Sequence, residues 1–380
     1  MEKYKMDSKI TTQDDCLNTQ TSLIKKQKVI EFFKELFSFF KLKPSKRTEA
    51  QKPCDFKTWI VHGISEFIGT ILISLGLAGL SIYTASGAVA ESYLLHPIIV
   101  GFYAGFIVVG FCLFVFLRWS CDLNPSVSLY RYLNGTNDGW YTTYKIFCQT
   151  LGAFVAGSLI YWWGSLSAKD GLISNAPIGA ITAAQKSFID YSKLTSVNQL
   201  IAAGSTWIFF IELVMTSILL FPIFSPNINN KYRDLYIMFI ISLSVWMGLL
   251  GGSAAINPAR GMAQQIPALF FEGRGSEALF NTPSVNPLID GDGMFDKAKW
   301  PNMDLGSSGI EITEKDLLTK TVWNSTVNAT IAMVLGDLFA PVFYLFVQGL
   351  TKTVVNPLVV HIIKFKNFRS QSMIESNHKK

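Results

Sequence analysis

Six long apolar runs limit what this chain can become. A helix of about 20 mostly apolar residues crosses the roughly 30 Å hydrocarbon core of a bilayer. Runs of that length are found at 59–83, 95–117, 141–163, 203–224, 235–255 and 326–349. The composition agrees, since 49% of the 380 residues are hydrophobic and only 16% are charged. The sequence therefore predicts an all-α membrane protein with six transmembrane helices.

The charges outside these runs predict the orientation. Residues 1–57 carry 13 Lys and Arg against 8 Asp and Glu, and residues 352–380 are also basic, whereas residues 271–322 are acidic. An even number of spans puts both ends on one side of the membrane, and segments rich in Lys and Arg stay in the cytoplasm. We therefore expect both termini inside and the connections 164–200, which is long and polar, and 271–322 outside. We also expect the protein in the plasma membrane. No folded basic module accompanies the basic ends, so no nucleic-acid partner is expected.

Residues 22–42 predict one further helix, outside the spans. Apolar side chains recur there at helical spacing, while most of the lysines fall elsewhere. Such a helix either lies on the inner leaflet of the membrane or packs on the cytoplasmic face of the protein itself. The sequence favours neither alternative.

The acidic connection 271–322 contains a short stretch that superficially resembles a calcium loop. Asp290 and Asp292 have suitable spacing, but Met294 and Phe295 occupy the places of a third oxygen ligand and of the required glycine. We therefore expect a solvated loop without a metal site.

Two Asn-Pro motifs follow the second and the fifth apolar run. They are Asn124-Pro125-Ser126 and Asn257-Pro258-Ala259. In each motif the proline occupies the first helical position, where it costs no hydrogen bond, and the asparagine before it caps the helix. The helices that begin there, 125–133 and 258–270, are too short to cross a membrane.

The two halves of the chain share a second feature. Glu66 in the first run precedes Thr70, and Glu212 in the fourth run precedes Thr216 at the same spacing. Two short helices after corresponding spans, each with its own intramembrane glutamate, are typical of an inverted repeat whose broken helices meet near the middle of the bilayer. The predicted fold is six transmembrane helices with two re-entrant half-helices.

These motifs resemble the aquaporin, or major intrinsic protein, family, whose hallmark is a pair of Asn-Pro-Ala half-helices, the second usually followed by Arg. The resemblance covers about residues 59–349 and includes SEFIGTILISLG, CQTLGAF, and Gly336 followed by Tyr344. The chain departs from the family at four positions. Ser126 replaces an alanine, Asp122 a histidine, Met333 a proline and Asp337 a small residue.

The resemblance implies a cytoplasmic tail at 1–57, a channel domain at 58–351 and a second cytoplasmic tail at 352–380. It implies a passive channel for water and small neutral solutes such as glycerol, assembled in the bilayer as a homotetramer with one pore in each protomer. Asn124 and Asn257 would orient passing water, and the half-helix dipoles and Arg260 would exclude cations and protons. Glu66 and Glu212 would accept hydrogen bonds from the re-entrant loops. No cofactor is implied.

The resemblance also locates a selectivity filter at four positions. Counting back from the two asparagines gives Ala104, Val245 and Ala254, and the fourth position is Arg260, three residues after Asn257. Water-specific members tend to have a bulky aromatic residue at the first position and a histidine at the second. Because both are missing here, we expect a wide and mainly apolar rim with one cationic donor.

Two other kinds of protein remain possible from the sequence. A proton-coupled transporter also uses broken helices and buried carboxylates, and Asp337 and Asp122 favour it. A non-conducting adhesion or scaffold member would use the loop 271–322 as its working part. An enzyme is not expected, because the four histidines have no metal or triad spacing and no phosphate-binding glycine loop is present.

The orientation can be tested with protease applied to intact cells. Cleavage is expected only within 164–200 or 271–322, because the basic ends should lie behind the membrane. Mass spectrometry of the fragments identifies the cut sites, and permeabilised cells provide the control in which the tails also become accessible. A cut within residues 1–57 of intact cells would overturn the orientation.

Overall fold

In the computed structural model, helices account for nearly all regular structure among the residues described, which are 26–83, 89–90, 96–167, 174–187, 193–270, 288, 295–302 and 314–378. The chain divides into two compact units, Arg47–Val342 and a smaller one made of Met1–Lys46 and Phe343–Lys380. In chain order the helices are α1 (26–36), α2 (Phe56–Leu77), α3 (97–116), α4 (Pro125–Leu133), α5 (Gly139–Ser167), α6 (Ala180–Lys186), α7 (Val197–Phe224), α8 (Asn230–Gly251), α9 (Pro258–Gln265), α10 (Glu314–Leu350) and α11 (Asn356–His378).

Six helical stretches of the described chain are long and apolar enough to cross a membrane. They are Phe56–Ser81, Ile98–Phe116, Gly139–Ser167, Val197–Phe224, Asn230–Gly251 and Trp323–Arg369. The predicted number of spans is confirmed. The short helices α4 and α9 follow α3 and α8, so the order span, span, half-helix, span in α2 to α5 recurs in α7 to α10.

The half-helices begin where the sequence predicts. The side-chain oxygen of Asn124 accepts a hydrogen bond from the backbone N–H of Ser126 at 2.9 Å, and that of Asn257 accepts one from Ala259 at 3.0 Å. Each asparagine therefore caps a helix that starts with proline. α4 ends at Leu133 as predicted, and α9 ends at Gln265 and continues as a 3₁₀ turn, Ile266–Phe270.

Close packing between helices positions the half-helices. α9 packs against α5 and α2, and α3 packs against α8. The second contact depends on Gly105, where any side chain would collide with the Met238 carbonyl and the Ser242 hydroxyl of α8. The neighbouring residue Ala104 lies in a π-helical segment of α3, Tyr103–Val109.

Two helix ends differ from the sequence prediction. α8 ends four residues before the predicted 255 because Gly252 adopts a left-handed conformation, with φ of 89°, and caps the helix. At the other end of the chain, the predicted tail 352–380 is helical as far as His378. A π-helical turn, Thr351–Val355, ends two residues before Pro357, whose ring does not fit a regular helix interior.

The connections are less uniform than expected. The segment 164–200, predicted as long and polar, contains α6, which buries Ala180, Ile181 and two more alanines in the core next to α7. This correction follows from Gly204 on α7, because the absence of a side chain there lets the Ala180 carbonyl approach. The stretch with Asp290, Asp292 and Met294 lies outside the described residues, as does most of 271–322.

Part of the predicted helix 22–42 is present in the smaller unit as α1; residues 22–25 lie outside the described chain. Leu36 is buried at its end, where its backbone lies against Gly349, and the rings of Phe37 and Phe346 are 6.1 Å apart. Val29 and Phe33 are exposed. Packing on the protein is therefore observed for the last turn, and contact of the exposed face with the leaflet stays a prediction.

Candidate pore

Glu66 holds the first re-entrant loop in place. Its carboxylate is fully buried and accepts hydrogen bonds from the backbone N–H groups of Asp122 at 3.0 Å and Leu123 at 2.7 Å, and from the Ser120 hydroxyl at 2.5 Å. The side-chain amide of Gln149 on α5 donates to it at 2.8 Å. The two N–H groups lie just before α4, where no helical partner exists for them.

Glu212 makes the equivalent contacts in the second half. It accepts hydrogen bonds from the backbone N–H groups of Ala255 at 2.9 Å and Ile256 at 2.8 Å, and from the Ser253 hydroxyl. In both halves the donors are the residues one, two and four positions before the asparagine. The two loops are thus built in the same way.

The two asparagines also bind the opposite loop. The Asn124 amide donates to the Ile256 carbonyl at 3.0 Å, and the Asn257 amide donates to the Leu123 carbonyl at 2.7 Å. Leu123 and Ile256 have φ of 48° and 58°, a left-handed conformation that is unfavourable for side chains of this kind. Strain of this sort persists only where the surroundings fix it, and here the glutamate and asparagine contacts do so.

One cavity of about 190 Å³ joins the predicted site residues. Asn124, Asn257, Ala104, Val245, Ala254 and Arg260 all line it. Most other lining residues are apolar, among them Ile73, Leu77, Leu113, Leu219 and Ile241. The other members of the two motifs are buried and do not line the cavity: Pro125, Ser126, Pro258 and Ala259.

Ser126, the departure from alanine, has a definite contact. Its hydroxyl donates to the backbone carbonyl of Asp337 at 2.8 Å and so ties the start of α4 to α10. The Asp337 carboxylate accepts a hydrogen bond from Thr216 of α7 at 2.5 Å and is fully buried. Asp337 is thus hydrogen-bonded to a neighbouring helix, α7.

Asp122, the departure from histidine, lies in a buried ion cluster that the sequence analysis missed. Its carboxylate contacts Lys145 at 2.5 Å and the Arg131 Nε at 2.9 Å, and it accepts from the Ser128 hydroxyl at 2.9 Å. Lys145 also contacts Glu66 at 3.3 Å. The positive charges of Lys145 and Arg131 offset the cost of burying the Asp122 carboxylate.

One signal in the sequence pointed to this cluster. Lys145 lies inside an apolar run, and an ionisable residue at membrane depth usually has a partner or a function. Nothing local identifies the partner, because Asp122 lies 23 positions away on another segment. Arg131 and Asp122 line the same cavity as the predicted filter residues.

Comparisons with known proteins find a family model, a curated relative and a solved structure that are similar to this chain. The family model described as "Major intrinsic protein" matches residues 55–273. The chain is 30% identical over 260 residues to "Aquaporin-3" of Milnesium tardigradum, a match that covers 63% of this chain and 76% of that protein. Among solved structures it is similar to the aquaglyceroporin from Plasmodium falciparum, with 16% identity, a TM-score of 0.45, and coverage of 79% of this chain and 98% of that one.

The surroundings of the two glutamates predict different costs for losing their charge. Glu66→Gln keeps the shape but removes a negative charge from beside the buried Lys145, and breaking a buried ion pair costs roughly 3 kcal/mol or more. Glu212→Gln should cost less, because among the described residues no Lys or Arg forms an ion pair with Glu212. Thermal unfolding of the detergent-purified proteins compares the two variants. Equal losses, or a larger loss in Glu212→Gln, would contradict this account.

Proposed function

Because the chain belongs to the major intrinsic protein family, and is therefore a multi-pass membrane channel for water and small solutes, we propose that it conducts water and small neutral polyols passively and excludes cations and protons. The observation that carries the proposal is the single cavity lined by Asn124, Asn257 and Arg260. The rest of its lining is mostly apolar, which suits a path along which solutes move without tight binding.

The half-helices supply the barrier to cations. The N-termini of α4 and α9 meet at the paired asparagines, and each carries roughly half a positive charge from its aligned peptide dipoles. Two such ends at the middle of a low-dielectric bilayer repel a cation strongly. Neutral solutes pass this point without that electrostatic cost.

The asparagines supply the orientation of water. A side-chain amide has two N–H donors, and each asparagine uses one of them for the carbonyl of the opposite loop. The other donor of each amide is available to the cavity. Water that accepts from both asparagines points its own hydrogens away from the centre, which interrupts the chain of hydrogen bonds along which a proton would move.

The proposed filter sets the size and chemistry of the solute. Ala104 and Val245 are small or medium-sized apolar side chains that are buried beside the cavity, and they leave Arg260 as the cationic group of the set. The Arg260 guanidinium would replace part of the hydration of a passing hydroxyl. This combination favours water, glycerol and solutes of the size of urea.

The proposal includes the oligomeric state of the channel and its orientation in the membrane. We place both termini in the cytoplasm of a cell whose plasma membrane holds the channel as a homotetramer. The basic ends support the orientation. The exposed apolar side chains of the spans, such as Phe114, Trp163 and Phe210, support contact with lipid or with neighbouring protomers.

The transporter alternative rests on Asp337 and Asp122, and the contacts of both argue against it. Asp122 lines the cavity, but its carboxylate is bound by Lys145 and Arg131. Of the described residues, those that line the cavity do not include Asp337, and its carboxylate is bound by Thr216. A proton carrier needs access to the solute path from both sides in turn. The contacts of Asp337 are those of a residue that joins α7 to α10.

The filter can be tested by narrowing it. In proteoliposomes the unmodified protein should pass both water and glycerol. The double variant Ala104→Phe with Val245→His should reduce glycerol flux by more than about tenfold and water flux much less. The reason is that the aromatic ring excludes the larger solute. Ile107→Phe with Tyr236→His is the matched control, since these residues lie on the same two helices and are exposed. Stopped-flow light scattering measures both fluxes. Passage of water with exclusion of glycerol by the unmodified protein would show the filter assignment to be wrong.

The passive mechanism can be tested at Asp337. Asp337→Asn keeps an acceptor for Thr216 and removes the ionisable group, so we expect unchanged glycerol flux at equal pH and with an imposed pH gradient. Uptake of radiolabelled glycerol into proteoliposomes measures both conditions. A gradient-driven rise in the unmodified protein that is lost in Asp337→Asn would establish the transporter instead.

A further inference from the structure

A second guanidinium group lines the cavity, at the end opposite to the filter. Arg131 lies on α4 six residues after its first residue Pro125, a rise of about 9 Å away from the paired asparagines. We call the part of the cavity lined by Leu117, Asp122 and Arg131 the inner mouth. In the proposed orientation this end faces the cytoplasm.

The Arg131 guanidinium is held in a fixed position. Its Nε donates to Asp122 at 2.9 Å, and the group lies over the ring of Phe224 at 5.1 Å from the ring centre. Phe224 in turn stacks on Tyr130 at 3.9 Å. A side chain held on two sides loses little further freedom when it binds a solute.

The charges around Arg131 are balanced. Arg131 and Lys145 carry two positive charges, and Asp122 and Glu66 carry two negative ones. Such a cluster has no net charge with which to trap an anion. Within the described chain, Nε is the Arg131 side-chain nitrogen that donates a hydrogen bond, so its two terminal nitrogens keep their donors for the cavity.

Arg233 also lines the cavity, but unlike Arg131 it uses its terminal nitrogens for hydrogen bonds within the protein. Its terminal nitrogens donate to four backbone carbonyls, two in the last turn of α7 and two in the loop that follows, and its Nε donates to the Asn230 side chain. Arg233 therefore joins two helices and has little left to offer a solute. Arg131 is different because its terminal donors remain.

Between the asparagines and the inner mouth the wall is apolar, with Val127, Leu113 and Ile237 among its residues. A polyol that leaves the asparagines has lost part of its hydration and regains hydrogen bonds where a donor is next available. We propose that Arg131 is a second solute-binding group of the pore, whose terminal nitrogens donate hydrogen bonds to the hydroxyl oxygens of neutral polyols at the inner mouth. The inference rests on the proposed function, because it presupposes a conducting pore that admits polyols.

The test compares glycerol and water flux in proteoliposomes of the unmodified protein, Arg131→Leu and Arg131→Gln. Loss of one charged donor should lower glycerol flux about tenfold in Arg131→Leu. Water flux should change less than about twofold, since water is small enough to keep other partners. Arg131→Gln retains an uncharged donor and should give an intermediate glycerol flux. Arg118→Leu is the matched control, because Arg118 is exposed near the same end of α3 and lies outside this cavity.

Each other outcome overturns the inference in a recognisable way. A rise of both fluxes in Arg131→Leu would show that Arg131 obstructs the pore, and an equal fall of both would show a purely structural role. Unchanged glycerol flux in Arg131→Leu, with glycerol passed by the unmodified protein, would refute the binding group and leave the proposed function intact. If the unmodified protein passes no glycerol, the proposed polyol conduction itself fails and the inference fails with it.

Discussion

The backbone amides that precede the two half-helices are the groups on which the rest of the structure depends. A chain that turns back within the bilayer exposes N–H groups that lipid cannot satisfy, at a cost of several kcal/mol each. Glu66 and Glu212 accept hydrogen bonds from these donors at the middle of the long helices α2 and α7. Only with both carboxylates in place can two helix N-termini meet inside the membrane and face one cavity.

The same contacts maintain a strained backbone. Leu123 and Ile256 have positive φ values, which cost of order 1–3 kcal/mol each. The benefit is geometric, because each turns its carbonyl toward the asparagine of the opposite loop. Each loop thereby holds the other, and a change at one glutamate acts on both half-helices.

The two halves share a backbone plan and differ in chemistry. Lys145 lies beside Glu66 and also binds Asp122, so it links the glutamate to the inner mouth of the cavity. The neighbour of Glu212 is instead a second carboxyl group, that of Asp337. One glutamate thus belongs to a balanced ion cluster and the other to an acidic pair. The inverted repeat of the fold is therefore not matched by a repeat in the charges beside the two glutamates.

The structural features that the sequence alone determined are local or periodic ones. The lengths of the apolar runs predicted six spans, and Asn before Pro marked the starts of α4 and α9, because span length and capping depend on neighbouring residues alone. Tertiary structure decided the buried face of α6 in a connection predicted as polar, since its burial depends on a glycine of another helix. It also decided the partners of Lys145 and Arg131. Attraction between charges depends on their distance in space, and only the packing of α5 beside α4 brings these side chains to the carboxylate of Asp122.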